Sequence, residues 1–228
     1  MRVLTLNTWL VPWAKDKKER RKKIVNFLKE KDYDVINLQE VWFFLDKYYF
    51  ISRLKSYGYE SSGTFFVNKT GLLTFYKGRL LKSSVKYFKD NEYNSWKESF
   101  ARKGSLYLKI KLRGEAYEIV NTHLMDCSLT GSQEVNKDNL KKLMDFIKEK
   151  KNVIMTGDFN LFNKNMKKIR TLKFANTEKT FLKSKNKYAE KFNEKLDYVF
   201  YKGLKLKSSE IIKKDFSDHY GISVDFKE

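Results

Sequence analysis

Short apolar runs alternate with amphipathic stretches along the whole chain. Eight of these runs are rich in β-branched residues and predict strands, and several are apolar at consecutive positions, as is typical of strands buried within a sheet. The predicted strands are Val3–Leu6, Val35–Leu38, Gly71–Tyr76, Leu106–Leu112, Tyr117–Thr122, Asn152–Thr156, Asp197–Tyr201 and Gly221–Asp225.

Three stretches between the strands have a helical period. Lys17–Lys31 places its apolar residues on one stripe, opposite lysines and arginines. Ser132–Lys150 repeats leucine, methionine and isoleucine at intervals of three and four residues, and Ser132 is predicted to cap its N-terminus. The third, Leu45–Tyr57, has a weaker pattern and is unusually aromatic. Strands alternating with helices predict an α/β chain.

Two stretches have neither period and are predicted to be loops between strands, namely Lys86–Lys103 and Leu161–Glu194. The second is strongly basic and continues to Lys195. Its lysines are interspersed with aromatic residues that either stack nucleic-acid bases or anchor the loop to the core. These aromatic residues are Phe162, Phe174, Phe181, Tyr188 and Phe192. No repeat or break in composition divides the chain, so residues 1–228 are expected to form one catalytic domain and a monomer.

The composition favours a polyanionic partner. Forty-eight Lys and Arg against 28 Asp and Glu give a net charge of +20, which attracts nucleic acid or an anionic membrane surface. The alternative is a lysine-rich composition scattered over the surface. No apolar run reaches the roughly 20 residues that a transmembrane helix needs. A single cysteine, Cys127, and the absence of a signal peptide indicate a cytoplasmic protein.

The polar residues with catalytic chemistry cluster at the predicted strand ends, in five short motifs. One such motif alone is ordinary turn chemistry, but together the five contain both histidines of the chain. Side chains at strand ends project into a common rim, so they are expected to form one site. The candidates are Asn7, Glu40, His123, Asp158, Asn160, Asp197, Asp218 and His219.

These residue types suit metal-dependent hydrolysis of a phosphodiester, which needs a cation to neutralise the phosphoryl oxygens and an activated water. The expected cation is Mg²⁺ (or Mn²⁺), which binds through few carboxylates and keeps several waters. Glu40 is the first choice as direct metal ligand. Asn7 and Asp218 are expected to complete or support its coordination.

The remaining candidates are predicted to handle the water and the phosphate. His219 is a candidate general base or a candidate hydrogen-bond donor to the phosphate, and Asp197 is predicted to orient its ring. Asp158 is placed to align the attacking water, and the side-chain amide of Asn160 to donate to a phosphate oxygen. His123 either contacts the phosphate or is a buried histidine bonded to a backbone carbonyl.

The ordered motifs resemble the endonuclease/exonuclease/phosphatase superfamily from residue 3 to residue 225. They are Leu4-Thr-Leu-Asn7-Thr-Trp9, Leu38-Gln-Glu40-Val41, Asn121-Thr-His123-Leu124, Gly157-Asp158-Phe-Asn160, Leu196-Asp197-Tyr198 and Ser217-Asp218-His219. The resemblance implies a four-layered α/β sandwich, in which helices flank two packed mixed sheets. It implies the same site residues, with Glu40 on the metal and His123 supporting the phosphoryl oxygens. Whether His219 or Asp158 activates the water stays open.

The N-terminal motifs, Asn7-Thr-Trp9-Leu-Val-Pro12-Trp13 and Glu40-Val41-Trp42, are similar to the neutral-sphingomyelinase branch. The chain lacks that branch's secretion signal or C-terminal anchor, which suggests shared ancestry more than shared substrate. Three hypotheses follow. The leading one is a nuclease-type phosphodiesterase. The second is a sphingomyelinase-like or phospholipase C-like hydrolase of choline or anionic phospholipids, using the aromatic segment 42–50 at a bilayer. The third is a nucleic-acid-binding module with an inactive site.

Overall fold

The computed structural model describes residues 1–63, 69–88, 102–162, 166, 172–176, 178–183, 185–189 and 193–227. Three helices lie among strands in this part of the chain: α1 (Lys17–Glu30), α2 (Phe44–Leu54), which continues as a 3₁₀ turn (Lys55–Tyr57), and α3 (Ser132–Ile147). The strands are β1 (Arg2–Asn7), β2 (Val35–Gln39), β3 (Glu60–Ser62), β4 (Leu73–Tyr76), β5 (Arg79–Tyr87), β6 (Gly104–Leu112), β7 (Glu115–His123), β8 (Val153–Asp158), β9 (Lys173–Phe174), β10 (Phe181–Leu182), β11 (Asn193–Glu194), β12 (Asp197–Lys202), β13 (Leu206–Ile212) and β14 (Gly221–Phe226).

The strands form two six-stranded mixed sheets and a short hairpin of β10 and β11. The order is β13-β14-β1-β2-β4-β3 in the first sheet and β5-β6-β7-β8-β12-β9 in the second. Each sheet has one parallel pair, β1 with β2 and β7 with β8, and the other pairs are antiparallel. The carboxyl ends of all four parallel strands carry candidate site residues, or are followed directly by them.

Alternation of side chains along the central strands separates three apolar layers. Val3 of β1 packs between the two sheets with Ile119 and Ile154 of the second sheet. The next residue, Leu4, faces the opposite way and packs with α1 and α2. On the far side, α3 covers the second sheet through Leu143 and its neighbours. The order helix, sheet, sheet, helix confirms the predicted four-layered α/β sandwich.

A buried polar network joins the sheets just below their site-bearing ends. The side-chain amide of Gln39 donates to Oδ1 of Asn121 across the interface at 2.7 Å. Beside it, Asn37 Nδ2 donates to the hydroxyl of Thr156 at 2.8 Å, and Thr74 donates to Asn37 Oδ1 at 2.8 Å. Because buried polar groups are costly without partners, these bonds restrict how the sheets can align.

Eight predicted strands and three predicted helices are confirmed, and no predicted end is displaced by more than three residues. The strands that the apolar pattern missed include β5 and β13, which lie at sheet edges and are largely solvent-exposed, so they lack a buried face. The expectation that Ser132 caps α3 is wrong. Gly131, at φ 73°, is the N-cap residue, and no side chain makes a capping hydrogen bond. No helix in the described ranges is long and apolar enough to cross a membrane.

Gly157 is expected to be the glycine most sensitive to substitution. Its φ is +145°, and a Cβ there would lie 1.9 Å from the carbonyl oxygen of Thr122 on the neighbouring strand. We expect Gly157→Ala to lower the free energy of unfolding by about 3 kcal/mol or more, measured by urea denaturation. Gly114 also has a positive φ but nothing within 4 Å, so Gly114→Ala should cost only about 1 kcal/mol. Equal losses in the two variants would contradict this account.

Candidate active site

Strand register aligns three site residues across neighbouring strands of the second sheet. His123 at the end of β7 pairs with Asp158 at the end of β8, and Asp158 pairs with Asp197 at the start of β12. From the first sheet, Asn7 Nδ2 donates to Asp158 Oδ2 at 3.0 Å. The rim where the two sheets meet is therefore the predicted site, and Asp158 lies at its centre.

His219 is held by a carboxylate, as the sequence predicts. Its Nδ1 lies 2.7 Å from Asp197 Oδ2, which also accepts the hydroxyl of Thr180 at 2.5 Å. The Phe181 ring packs edge-on against the imidazole, with centroids 4.9 Å apart. Burial alone lowers the pKa of His219, but the surrounding carboxylates, Asp197 foremost, raise it well above its usual value. The free ring nitrogen, Nε2, faces Asp158 Oδ2 at 3.8 Å.

Asp158 is bonded on both oxygens. Oδ2 accepts from Asn7, and Oδ1 accepts the backbone N–H of Asn160 at 3.0 Å. Burial raises the pKa of this carboxyl to about 7, because water is excluded from its charged form. One ligand atom from each of Asp158, Asp197 and His219 lies within 4.8 Å of the others, close enough for the three to hold a metal ion together.

Glu40 combines a strained backbone with an unsatisfied side chain. Its φ is +60°, a left-handed conformation that costs an ordinary residue about 1 kcal/mol or more. Its Oε2 is buried and has no hydrogen-bond partner among the described residues, while Oε1 lies 3.8 Å from His123 Nε2. Burial raises the pKa of Glu40 to about 7, although Lys103 opposes that shift. A buried carboxylate oxygen without a hydrogen-bond donor is available as a ligand for a cation.

Asp218 and Asn160 complete the predicted set. Asp218 accepts the hydroxyl of Ser217 at 2.9 Å, and burial raises the pKa of its carboxyl. Asn160 has a left-handed φ of 46°, and its Nδ2 donates to the carbonyl oxygen of Leu124 at 3.2 Å. An amide has two N–H bonds, so this contact uses one donor and leaves the other for a ligand. The structure thus brings all eight predicted residues into one site.

Comparison with known proteins shows the family and the fold of the chain. The profile of the Endonuclease/Exonuclease/phosphatase family matches residues 4–219. The chain belongs to this family. Among curated proteins, a UPF0294 protein of Vibrio campbellii is 33% identical over 130 residues, which is 54% of this chain and 45% of that protein. The chain thus matches less than half the length of that relative.

Solved structures of the same fold cover the whole chain. Danio rerio TDP2 in complex with a single-strand DNA product superposes with a TM-score of 0.82 at 16% identity, covering 100% of this chain and 99% of that one. SmcL gives a TM-score of 0.77 at 19% identity, with 100% and 99% coverage. The beta toxin of Staphylococcus aureus gives 0.79 at 18%, with 100% of both chains covered. At these identities the similarity shows the fold alone.

Lys103 is a residue of this family member that sequence analysis missed. Its Nζ lies 2.9 Å from His123 Nε2 and 5.8 Å from the centre of the Trp42 ring. Burial, reinforced by Lys103, lowers the pKa of His123 well below its usual value. An ammonium only donates, so Nε2 of the neutral ring accepts from Lys103 and the ring proton is assigned to Nδ1. That nitrogen is buried without a hydrogen-bond partner among the described residues, so the expected bond from His123 to a backbone carbonyl is not formed there. Only the strand pairing indicates a role for Lys103, because this lysine precedes Gly104, the residue that pairs with His123.

Arg20 is the second residue that was missed, and it ties two site-bearing loops together. Its buried guanidinium donates to the carbonyl oxygens of Thr8 at 2.8 Å, Trp9 at 2.9 Å and Phe216 at 3.0 Å. A fourth such bond, at 2.8 Å, goes to Lys15 in the segment that precedes α1. Two aromatic rings lie against it, 4.9 and 5.3 Å from the guanidinium carbon. The loop that follows β1 is thereby fixed to the one that carries Asp218. In the sequence Arg20 is one of several basic residues of α1, and nothing there distinguishes it from the others.

The aromatic residues of the basic segment 161–195 divide between anchoring and exposure. Phe181 packs on His219, and Tyr188 is buried beside Trp9. Neither ring is therefore exposed for a base to stack on, as the stacking hypothesis required. Phe162 is partly buried against the apolar cluster that contains Phe181. Phe174 is 42% exposed. Phe192 lies outside the described residues.

Arg20→Met should show how strongly the family site depends on the buried guanidinium. Removing it leaves several buried carbonyl groups without donors, at roughly 1–3 kcal/mol each. We expect the free energy of unfolding to fall by about 3 kcal/mol or more in urea denaturation. Lys22→Met, on the exposed face of the same helix, is the matched control and should change stability by less than about 0.5 kcal/mol. Similar stability of the two variants would refute this role.

Proposed function

We propose that this chain is a divalent-metal-dependent phosphodiesterase that hydrolyses nucleic acid. The observation that carries the proposal is the arrangement around Asp158. One of its oxygens lies within 4 Å of both histidines and bonds to Asn7, while Asp197 fixes the ring of His219. Acid–base groups of this kind, gathered beside a buried carboxylate that lacks a donor, support metal-assisted cleavage of a phosphoester.

The donors of this site fit a hard cation such as Mg²⁺ or Mn²⁺. Two carboxylate oxygens, Oε2 of Glu40 and Oδ1 of Asp197, are buried without a hydrogen-bond partner among the described residues. We assign the cation to Glu40, supported by Asn7 and Asp218, because Asp197 already binds both His219 and Thr180 through its other oxygen. A bound cation would neutralise the charge on the phosphoryl oxygens.

The protein's own groups would then orient the water and the phosphate. Asp158 is placed to align the attacking water, and His219 Nε2 faces the same space, where it can transfer a proton. Lys103 and the second amide hydrogen of Asn160 would bind phosphate oxygens. Because His123 accepts the Lys103 ammonium, we infer that its role is to position this cation rather than to act as a base.

A polyanionic polymer is the substrate class that the charge favours. The chain carries a net charge of +20, and such an excess attracts nucleic acid through its phosphates. Among the structural neighbours, Danio rerio TDP2 is recorded in complex with a single-strand DNA product. Both observations support nucleic acid.

A choline phospholipid is the second candidate, and one contact favours it. The Trp42 ring lies at the site, with its centroid 6.4 Å from that of His123, and aromatic faces bind quaternary ammonium groups. The ammonium of Lys103 already lies over that ring, however, at 5.8 Å. A second cation there would meet electrostatic repulsion, so we rank the phospholipid below the nucleic acid.

Turnover should require the metal, Glu40 and His219. We expect purified protein with Mg²⁺ or Mn²⁺ to cleave at least one of single-stranded DNA, double-stranded DNA and RNA, and excess chelator to abolish cleavage. Glu40→Gln and His219→Ala should each lower kcat/KM by about 100-fold or more, while the exposed control Glu60→Gln retains it. Calorimetric titration with Mn²⁺ should show weaker binding for Glu40→Gln alone. Phosphocholine release from sphingomyelin or phosphatidylcholine vesicles, with nucleic acid inert, would overturn the assigned substrate.

Lys103→Met should separate a phosphate-binding lysine from the general positive charge. Loss of one preorganised cation at the reacting phosphate is expected to reduce kcat/KM by about 100-fold. Lys111→Met, an exposed lysine on strand β6, removes the same charge away from the site and should keep wild-type activity. Equal activity of the two variants under metal-saturated conditions would exclude Lys103 from the phosphate site.

A further inference from the structure

An open groove with a volume of 740 Å³ lies between the first turns of α1 and one side of α2. We call it the aromatic groove. Its lining residues include three aromatic and three basic side chains, which are Phe43, Phe44, Tyr48, Lys17, Lys18 and Arg53. None of them belongs to the catalytic site described above, and the proposed hydrolysis leaves their arrangement unexplained.

Two rings of this groove are exposed to an extent that core packing does not require. Phe44 is 55% exposed and Tyr48 is 57% exposed, one helical turn apart on α2. Their planes are within 11° of parallel, with centroids 6.2 Å apart. Neighbouring large apolar residues that remain exposed mark a binding surface more often than isolated ones do.

The rim of the groove is cationic. Lys17 lies over the Phe43 ring at 4.9 Å, and Arg53 lies over the ring of Tyr49 at 5.6 Å. Asp46 is the acidic residue in the groove lining, and its carboxylate is already neutralised by Lys17 at 3.6 Å and by an arginine at 2.6 Å. Parallel rings bordered by lysine and arginine complement a chain of bases and phosphates.

The groove begins close to the catalytic residues. Phe44 follows Glu40 by four positions, so their Cα atoms are at most about 14 Å apart. Between them, Trp42 lies against His123, with ring centroids 6.4 Å apart. A strand that leaves the catalytic site can therefore reach the exposed rings within about four nucleotides at the 3.4 Å rise of a duplex strand.

We infer that the aromatic groove binds the single-stranded flank of a nucleic acid, with bases stacked on Phe44 and Tyr48 and phosphates held by Lys17, Lys18 and Arg53. This inference names a further contact of the substrate class proposed above and rests on that proposal for its continuity with the site. A concave surface suits inserted bases better than a flat bilayer. Leu45, which is 72% exposed on the same helix, distinguishes nucleic acid from a bilayer as the partner. An aliphatic side chain enters a bilayer but stacks poorly on bases, so its removal should weaken binding to a bilayer only.

The test measures binding without turnover. Fluorescence anisotropy with labelled oligo-dT of 4, 8 and 12 nucleotides, in excess chelator, gives Kd for the whole chain. We expect wild-type binding to tighten from 4 to 8 nucleotides. Phe44→Leu/Tyr48→Leu, which keeps apolar area but removes both flat rings, should raise Kd for the 12-mer about tenfold or more. Leu45→Ala removes an aliphatic side chain that lines the same groove, and we expect this variant to bind oligo-dT as wild type does because binding depends on the rings. Circular dichroism checks that each variant is folded.

Each result supports or overturns the assignment. Unchanged Kd in the double leucine variant refutes the groove as a nucleic-acid site. Sedimentation with phosphatidylserine vesicles that Leu45→Ala abolishes, together with unaltered oligo-dT binding in the leucine variant, assigns the surface to a membrane instead. Groove-dependent binding with no metal-dependent cleavage of any nucleic acid would defeat the proposed hydrolysis but leave the groove intact. Metal-dependent cleavage by the wild type, together with unaltered binding in the leucine variant, would support the proposed hydrolysis and refute the groove.

Discussion

The hydrogen bonds that cross between the two sheets constrain everything above them. Gln39 bonds to Asn121 across a largely apolar interface, and Asn37 bonds to Thr156 beside them. Apolar side chains alone would tolerate small slides of one sheet over the other. Buried amides do not, because a displaced donor or acceptor would lose its partner where no water can replace it. The strand ends just above therefore face each other in one alignment.

That alignment brings several carboxylates close together, although their negative charges repel one another. Burial raises the pKa of both Glu40 and Asp158 to about 7, a sign that their charged forms lack the stabilisation that water would provide. Polar neighbours meet part of this cost, with Asn7 donating to Asp158 and Lys103 lying beside His123. The part of this cost that these neighbours do not offset lowers the stability of the fold, as is common at functional sites.

Sequence reasoning succeeded where the chemistry coincides with a backbone pattern. Apolar runs locate the buried strands, and polar residues that end those runs must gather at one rim, so residues such as Asp158 and His219 could be named in advance. Lys103 and Arg20 could not, because each is one basic residue among 48 and acquires its role only through partners distant in sequence. Strands β5 and β13 escaped notice for a related reason, since exposed edges leave little apolar signature.

The placement of His123, Asp158 and Asp197 on directly paired positions of three adjacent strands has an evolutionary consequence. Their spacing is set by ladder hydrogen bonds and does not depend on the length of any connecting loop. A one-residue shift in β8 would turn the carboxylate of Asp158 to the other face of the sheet, whereas insertions beyond the strand ends would leave these three paired positions unchanged. Descendants of such a chain can therefore exchange the loops around the site while inheriting the same arrangement of these three side chains.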